Sequence, residues 1–346
     1  MSNQETPLRF GIIGIGNIAP FHALAAKAVP GGQLVAVATR TETKARKFQA
    51  EYGAQAYYTD YRRLLERPDI DVVTICTPHF LHEPMTLEAA AAGKHVLVEK
   101  PMAITVEEAD RMIAACQKAG GKLGVVFQSR FDPLARKLKK ALDERRLGKP
   151  LLASMTMKWY RTDEYYLSGE WRGTWAQEGG GALINQAIHG IDLLRWMAGP
   201  VKAINGCIAT LAHDIEVEDV AFAVLEYESG AMGMIEGTTV AYPGFAERLE
   251  FSGTEGSVIY DKGNGKLHWY LKELVEERVD EIKTSSGAAQ PMDISAEGHV
   301  KVFRDFAEAI REDRKPLVDG HEGRHSLEII QAIYRSARER RTIKLP

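Results

Sequence analysis

The sequence predicts an α/β protein with two domains, a doubly wound parallel sheet in residues 1–127 and a second α/β domain in residues 128–346. Patterns typical of strands and helices alternate through the first part, as they do when helices cover both faces of a parallel sheet. After about residue 150, strand-like runs follow one another directly, which favours an antiparallel meander. The length of 346 residues allows two domains of roughly 100–200 residues each.

The strands of the first domain are predicted from short apolar runs, at residues 10–13, 34–38, 72–76, 96–98 and 123–127. Helical patterns lie between them, at residues 18–28, 44–52, 83–92 and 105–120. Thr105 and Glu108 have the spacing of a capping box, and Gly93 lies where the preceding helix should end.

The second domain is predicted to have five consecutive strand-like runs, at residues 202–211, 219–227, 231–240, 247–252 and 257–260. One helix near residues 182–197 precedes them, and two helices near residues 300–311 and 325–340 complete the pattern. The polar residues 284–296 are predicted to form a loop.

Composition argues against several classes of protein. The 44 basic and 47 acidic side chains leave a formal charge of −3, without the basic stripe expected of a nucleic-acid binder. The cysteines Cys76, Cys116 and Cys207 are far apart and form no Cys-x-x-Cys unit, which favours a reducing compartment. The sequence shows no signal peptide and no apolar run of about 18 residues, so we expect a cytoplasmic protein without a membrane span.

A glycine-rich turn follows the first predicted strand and opens a helix, with the pattern Gly14-x-Gly16-x-x-Ala19. Gly14 permits the tight turn, and Gly16 lets the backbone approach a pyrophosphate. Asn17 and Ile18 then lie at the helix start, where N–H groups and the helix dipole favour phosphate. The pattern predicts a nucleotide site, and its alternative is an ordinary tight turn between strand and helix.

The end of the second strand bears on the choice of cofactor. A carboxylate there would bind the ribose 2′-hydroxyl of NAD, but this sequence has Arg40 and no acid until Glu42. Arg40 can pair with the 2′-phosphate of NADP, so the sequence slightly favours NADP. In the alternative, Arg40 is a solvated surface residue and NAD binds through backbone contacts.

Two loops follow strands at the edge of the sheet where ligands bind. Thr77 and Pro78, with His82 one helical turn beyond His79, follow the third strand and are predicted to contact the cofactor. Lys100 follows the strand at residues 96–98 and is a candidate to polarise a substrate oxygen or carry its proton. In the alternative, the histidines begin a helix or lie at the surface, and Lys100 forms a salt bridge.

A second candidate site lies in the run from Gly179 to Asp192. If this run is helical, Asn185, His189 and Asp192 share one face. His189 is then a candidate general base, because the ordinary pKa of imidazole is near neutral, and Asp192 is a candidate to orient it. The alternative is that His189 is a satisfied core histidine. Neither candidate site has the ligand spacing of a metal site, so we expect none.

Together these motifs resemble the Gfo/Idh/MocA family, named for glucose–fructose oxidoreductase, inositol dehydrogenase and a rhizopine-catabolism protein. The similarity extends over essentially the whole chain and includes Arg130-Phe131-x-Pro133. It implies a Rossmann domain, a second domain with a large, open, mostly antiparallel sheet, and a homodimer or homotetramer. It identifies Lys100 and His189 as the catalytic residues. Many members have aspartate at the position of Asn185, so here an amide replaces a carboxylate and is expected to bind a substrate hydroxyl.

The resemblance also implies contacts to ligands. The residues expected to contact cofactor in addition to those above are Glu99, Gln128 and Arg172. The residues expected to contact substrate are Tyr160, Arg161, Asn185, Gln186 and His189. The segment containing Trp159, Tyr165 and Trp171 is similar to members that oxidise a nucleotide-linked amino-sugar acid, and Arg161 is then expected to meet its carboxylate. The alternative for the aromatic cluster is a core at a domain interface.

We therefore expect a dehydrogenase that transfers hydride between NAD(P) and a secondary hydroxyl or carbonyl of a sugar, polyol or nucleotide sugar. One alternative is an NAD-dependent glycosidase that oxidises C3 transiently. An alternative of another class is a non-catalytic sensor or scaffold that binds NAD(P).

Overall fold

The computed structural model describes residues 6–273, 278–282 and 295–346. The chain divides into two compact units. One comprises the chain up to Gln128 together with Ala296–Arg324, and the other comprises Ser129–Ser295 and His325–Pro346. The sequence prediction placed all residues after 127 in the second domain, whereas residues 296–324 belong to the first unit.

The described strands, in chain order, are β1 (Leu8–Ile13), β2 (Gly32–Ala38), β3 (Ala56–Tyr58), β4 (Val72–Ile75), β5 (His95–Val98), β6 (Leu123–Val125), β7 (Pro150–Lys158), β8 (Val201–Ala209), β9 (Val220–Tyr227), β10 (Met232–Thr238), β11 (Arg248–Gly253), β12 (Gly256–Asp261), β13 (Lys266–Leu271), β14 (Arg278–Glu281) and β15 (Ile343–Lys344). The described α-helices are α1 (Ala19–Ala28), α2 (Glu42–Tyr52), α3 (Tyr61–Leu65), α4 (His82–Ala91), α5 (Val106–Lys118), α6 (Pro133–Asp143), α7 (Asp163–Leu167), α8 (Ile188–Ala198), α9 (Glu297–Arg311) and α10 (Gly320–Glu339).

The first unit contains a parallel sheet with the strand order β3-β2-β1-β4-β5-β6. Apart from the half-buried β3, its strands are mostly buried because their residues are almost continuously apolar, as the doubly wound prediction requires. The order reverses between β1 and β4, and ligands bind such sheets at the carboxyl ends of the strands beside this reversal. The short elements β3 and α3 escaped prediction, since three to five residues carry little periodicity.

Helix ends in this unit follow the local sequence. The Thr105 hydroxyl accepts a hydrogen bond from the Glu108 N–H, and the Glu108 carboxylate accepts one from the Ile104 N–H. This arrangement confirms the predicted cap, with the return bond shifted by one residue. Gly93 has a φ of 71° just beyond α4, which confirms its predicted role as a helix stop.

Helix α9 completes the core of the first unit. The Phe303 ring on α9 lies 5.6 Å from the Phe10 ring on β1 and 5.1 Å from the His22 ring on α1. Phe303 and Phe306 are both fully buried, so α9 closes this unit although it is distant in sequence. The prediction that all residues after 127 belong to a second domain missed this return.

The second unit contains a nine-stranded sheet with the order β14-β13-β12-β11-β7-β10-β9-β8-β15. Its described strand pairs are antiparallel except β7 with β10, which are parallel. The predicted simple meander is therefore wrong at one place, because β7 lies between β10 and β11. Strand β7 was not predicted, and most of the predicted loop at residues 284–296 lies outside the described residues.

The two faces of this sheet differ. Buried and exposed residues alternate along β9, as expected when one face packs on a core. The other face exposes large apolar side chains, among them Phe222, Val224 and Met234. Within the described residues, no helix combines the length and apolarity that crossing a membrane requires.

The predicted helix near residues 182–197 is present but irregular. It begins with a π-helical turn at Ala182–Ala187 and continues as α8. The wider turn changes the angular positions of Asn185 and His189, so the face predicted from regular 3.6-residue periodicity is wrong in detail.

Candidate active site

The glycine-rich turn has the geometry of a phosphate-binding loop. Gly14 has a φ of 88°, and a Cβ there would lie 2.8 Å from the carbonyl oxygen of Cys76. A Cβ on Gly16 would meet nothing within 4 Å, so the backbone at Gly16 and Asn17 faces open space. Helix α1 begins two residues after Asn17. The residues present therefore fit a nucleotide pyrophosphate, with N–H groups at the helix start available to it.

The end of β2 carries no carboxylate for a ribose. Arg40 is exposed, and within the described residues it forms no hydrogen bond or ion pair. The nearest acid in sequence, Glu42, accepts hydrogen bonds from Arg46 and Tyr57 through one oxygen. Arg40 is therefore accessible to a ligand, while Glu42 is occupied by α2 and β3 side chains.

Thr77 and Pro78 lie directly after β4, and His82 begins α4 behind them. His82 is fully buried, and its ring nitrogens lie 2.8 Å from the carbonyl oxygens of Thr77 and Pro101. Burial lowers the pKa of His82 although both carbonyls favour its charged form. This geometry indicates that His82 links the loop containing Thr77 to the loop containing Pro101. Direct contact of His82 with the cofactor stays a prediction.

Glu99 directly follows β5 and is buried. One of its oxygens lies 2.8 Å from Nε2 of His22, and the other accepts the backbone N–H of Lys100 at 3.1 Å. Burial would raise the pKa of Glu99, but the hydrogen bond from His22 and the nearby His299 hold it well below its usual value. Lys100 itself is half-buried at the carboxyl edge of the sheet. Cofactor contacts of Glu99, Lys100 and Gln128 stay predictions.

In the second unit, a buried carboxylate holds the start of the helix that carries the second candidate site. Glu218 accepts hydrogen bonds from the backbone N–H groups of Gly181 and Leu183 at 2.8 and 2.9 Å, and from the Tyr334 hydroxyl at 2.8 Å. A Cβ on Gly180 would lie 2.1 Å from the Tyr334 hydroxyl, which explains one glycine of the run. Burial raises the pKa of Glu218 to about 7. Glu218 and Tyr334 were not predicted as partners of this run, because both lie far from it in sequence.

Aromatic, charged and amide side chains form a cluster around Tyr165, and we call it the Tyr165 cluster. Its members are Trp159, Arg161, Tyr165, Arg172, Glu178, Asn185 and Gln186. The Tyr165 oxygen accepts hydrogen bonds from Arg172, from Asn185 at 3.2 Å and from Gln186 at 3.0 Å. Burial raises the pKa of Tyr165, so it is a neutral phenol.

Glu178 is the acidic member of the Tyr165 cluster and was not predicted. Its carboxylate accepts hydrogen bonds from the Asn185 side chain and from the Gly173 N–H. Glu178 is 1% exposed, so these donors replace water around its charge. The amide of Asn185 is thus oriented by both Glu178 and Tyr165. A carboxylate at position 185 would face Glu178 directly.

Arg161 is 4% exposed, and its guanidinium lies 5.0 Å from the Trp159 ring and 5.4 Å from the Tyr165 ring. Its NH1 donates to the carbonyl of Tyr160, and its backbone N–H donates to Thr239. Burial lowers the pKa of Arg161, with Arg172 acting in the same direction. The structure thus gathers the predicted substrate residues Arg161, Asn185 and Gln186 around one ring. Tyr160, also predicted, is half-buried and packs edge-on against Tyr242.

His189 is half-buried in the first turn of α8. Asp192 is fully buried and accepts hydrogen bonds from Arg130 at 2.7 and 2.8 Å and from Ser326 at 3.0 Å. The carboxylate of Asp192 is therefore anchored to α10 and to the segment before α6. An orienting action of Asp192 on His189 stays a prediction.

Comparison with known proteins agrees with this architecture. Residues 8–127 match the model of an oxidoreductase family with an NAD-binding Rossmann fold, and residues 135–259 match the Gfo/Idh/MocA C-terminal domain. The WlbA dehydrogenase of Bordetella pertussis, solved with NADH and UDP-GlcNAcA, is 34% identical over 99% of both chains, with a TM-score of 0.85.

Two further relatives have other substrates in their names. The 1,5-anhydro-D-fructose reductase of Ensifer adhaerens is 32% identical over 72% of this chain and 75% of its own length. The myo-inositol 2-dehydrogenase of Thermotoga maritima is 26% identical over 98% of each chain. The chain belongs to the Gfo/Idh/MocA family of oxidoreductases, whose N-terminal domain is an NAD-binding Rossmann fold.

Proposed function

We propose that this dehydrogenase oxidises a secondary hydroxyl of a nucleotide-linked amino-sugar acid, a substrate of the same class as UDP-GlcNAcA. The observation that carries this proposal is the pair of arginines, Arg161 and Arg172, that flank the half-buried Tyr165 ring. The similarity to the WlbA dehydrogenase over nearly the whole chain supports it.

The charges of the Tyr165 cluster favour an anionic ligand. Among the described residues of the cluster, Arg161 and Arg172 contribute two positive charges and Glu178 contributes one negative charge. Removing cations from water is costly unless an anion pairs with them. A substrate carboxylate beside Arg161 would form charge-assisted hydrogen bonds with its guanidinium.

The polar atoms of the cluster favour a ligand with hydroxyl groups. A phenol oxygen offers two lone pairs, yet three N–H donors surround the oxygen of Tyr165. Within the described residues, the buried Oε1 of Gln186 and Nε1 of Trp159 have no hydrogen-bond partner. Buried polar atoms are nearly always satisfied, so this surplus of donors and acceptors supports binding of a polyhydroxylated sugar.

In the proposed mechanism, the residues of the two units have different roles. Gly14, Gly16 and the start of α1 in the first unit would hold the dinucleotide, and a nicotinamide held there would supply the donor or acceptor for hydride. Lys100 stabilises negative charge that develops on the reacting oxygen. His189 takes the hydroxyl proton in the direction of oxidation. Asn185, fixed by Glu178 and Tyr165, holds a neighbouring hydroxyl and so orients the sugar.

Lys100→Met tests the catalytic assignment. We expect turnover to fall at least about 100-fold, because removing a preorganised donor costs roughly 3–4 kcal/mol. The dissociation constant for NADH should stay within about threefold of wild type. Lys27→Met, which changes a lysine in the last turn of α1, is the control. Unchanged turnover in Lys100→Met would contradict the assignment.

Substrate class is tested by comparing UDP-GlcNAcA, UDP-GlcNAc, myo-inositol and levoglucosan with NAD and with NADP, following absorbance of the reduced cofactor. We expect the highest kcat/KM with UDP-GlcNAcA. Arg161→Met should lower that value by about 10- to 100-fold, the worth of a charge-assisted hydrogen bond, while leaving any activity on UDP-GlcNAc unchanged. Preference for inositol or levoglucosan would contradict the proposed substrate class. Cofactor that stays bound without net release of its reduced form would indicate the glycosidase alternative.

The cofactor proposal remains NAD or NADP. The relatives support NAD, because the WlbA dehydrogenase was solved with NADH. The exposed Arg40 at the end of β2 supports NADP as a second possibility. We also propose a cytoplasmic location, since Cys76, Cys116 and Cys207 are free thiols, as expected in a reducing compartment.

We further propose that the face of the second unit's sheet that exposes Val224 and Met234 packs against a second copy of the chain. Val224 on β9 lies opposite Met234 on β10, and Met232 lies opposite Leu152 on β7, so these side chains share one face. All four are 40–56% exposed, and clustered apolar exposure marks association surfaces. Light scattering should give a dimer or tetramer, and Val224→Lys with Met234→Lys should reduce a dimer to a monomer or a tetramer to a dimer. A wild-type monomer would contradict this proposal.

A further inference from the structure

Two buried histidines of the first unit hold the backbone on either side of the Lys100 side chain. His22 binds Glu99, whose other oxygen accepts the Lys100 N–H at 3.1 Å. His82 lies 2.8 Å from the carbonyl oxygen of the next residue, Pro101. We propose that His22 and His82 are positioning residues for Lys100, acting through Glu99 and Pro101 respectively. This inference rests on the catalytic role proposed for Lys100 and is independent of the identity of the sugar.

The His22 contact depends on an ionised Glu99. Glu99 is 7% exposed, and its charge is compensated by the His22 ring, the Lys100 N–H and the nearby His299. Burial lowers the pKa of His22 despite the adjacent carboxylate, so the ring is neutral. A neutral ring can donate to Glu99 only with its proton on Nε2. His22 therefore fixes the orientation of the carboxylate, and the carboxylate fixes the Lys100 amide.

A metal ion is a rival explanation for this group. Ligand atoms of His22, Glu99 and His299 lie within 4.8 Å of one another and are buried. Histidines that bind metal usually donate their second ring N–H to an acceptor. Within the described residues, Nδ1 of His22 and Nδ1 of His299 have no such partner. His22 and Glu99 are also already at hydrogen-bond distance, so the geometry favours a hydrogen-bonded carboxylate.

The His82 contact joins the two loops that follow β4 and β5. Its ring spans from the Thr77 oxygen to the Pro101 oxygen, 2.8 Å from each. A ring that is fully buried cannot swing away to solvent. Movement of the Lys100 loop relative to the Thr77 loop would therefore break a contact on His82. Catalytic groups need support of this kind, because a misplacement of about 1 Å can cost roughly 100-fold in rate.

The test compares variants that remove or retain the donor at position 22. We expect His22→Leu to lower kcat by about 10- to 100-fold, with KM and the dissociation constant for NADH within about threefold of wild type. His22→Gln places an amide N–H where Nε2 lies and should recover turnover to within about fivefold. His82→Leu should resemble His22→Leu. Turnover is measured with whichever sugar substrate the enzyme accepts best, so failure of UDP-GlcNAcA does not affect this comparison.

His95→Leu is the matched control. His95 lies at the other end of β5, and its Nδ1 accepts a hydrogen bond from the backbone N–H of Lys122 at 3.0 Å. A general loss of packing in this unit would slow His95→Leu as well, whereas positioning of Lys100 predicts a normal kcat. Equal losses in all three leucine variants would overturn the proposal. If His22→Leu fails to fold, His22→Gln is compared with His22→Asn, whose shorter amide cannot reach Glu99, and equal turnover of these two would overturn it.

Two measurements without turnover complete the test. Hydrogen exchange of the Lys100 amide in the free protein should be faster in His22→Leu than in His22→Gln and His95→Leu. Equal exchange would overturn the proposal even if no substrate were turned over. Nitrogen-15 NMR of labelled histidine should show His22 neutral with its proton on Nε2, and one equivalent of tightly bound zinc in the purified protein would overturn this assignment.

Discussion

The guanidinium of Arg130 binds both carboxylate oxygens of Asp192, at 2.7 and 2.8 Å, and both side chains are fully buried. The Ser326 hydroxyl, on α10, donates to the same carboxylate. Asp192 lies one turn after His189 on α8, so this ion pair fixes the helix that carries the proposed general base. The relationship explains why an acid stands in an otherwise apolar part of α8.

Asp192→Asn should destabilise the protein strongly, because it leaves the Arg130 charge buried without its partner. We expect the free energy of unfolding, from urea titration, to fall by about 3–5 kcal/mol. Lys202→Gln, which breaks the exposed pair with Glu226, should cost at most about 1 kcal/mol. A similar small loss in both variants would show that the buried pair contributes little.

The pKa of Glu218, about 7, makes a specific prediction for stability against pH. Because the native pKa lies above the unfolded value of about 4.5, the native state binds the proton more tightly. The contribution of Glu218 to the free energy of unfolding is therefore fully present below about pH 4.5 and is lost as the pH rises through 7. In Glu218→Gln this loss is absent, so urea titrations at pH 5, 6, 7 and 8 should show a smaller decline than in wild type.

The comparison of the two proteins at each pH removes contributions from other titrating groups. Parallel pH profiles for the two proteins would contradict the prediction.

Local patterns in the sequence were sufficient to predict most of the first sheet and to place several candidate site residues at the ends of its strands. The turn at Gly14 and Gly16 follows a buried strand, and its chemistry depends only on neighbouring residues. Lys100 could likewise be placed at a strand end from the preceding apolar run. These features are determined within about ten residues of chain, where periodicity and turn chemistry are informative.

Features that depend on distant partners were missed. Glu218 caps a helix start that lies 35 residues earlier in the sequence, and Tyr334 joins it from α10. The π-helical turn that follows shifts Asn185 relative to His189 in a way that 3.6-residue periodicity cannot anticipate. Strand β7 pairs with β10 and β11, which come much later in the chain, and its Ala, Ser and Met residues have modest strand propensity.

Arg40 gives a prediction about cofactor preference. If it contacts a 2′-phosphate, Arg40→Ser should weaken NADPH binding by about 10- to 100-fold, the worth of a charge-assisted hydrogen bond. NADH binding should change by less than about twofold, since NADH lacks that phosphate. Titration of cofactor fluorescence measures both. Equal effects on the two cofactors would show that Arg40 does not contact the 2′-phosphate of the ribose.

Asn185→Asp tests whether an amide is required where many family members have a carboxylate. In this chain the Asn185 amide donates to Glu178, so aspartate would place two carboxylates in contact. We expect lower thermal stability and at least about tenfold lower kcat, with both defects smaller at low pH, where one carboxylate is protonated.

Adding Glu178→Gln to Asn185→Asp supplies the matched control. The amide at position 178 then donates to the carboxylate at position 185, which restores the hydrogen bond with its direction reversed. The double variant should recover most of the lost thermal stability and also regain turnover if any polar group at position 185 can hold the substrate hydroxyl. Recovery of stability without turnover would show that the sugar requires the Asn185 amide itself. Full activity of Asn185→Asp alone would contradict the role given to the contact with Glu178.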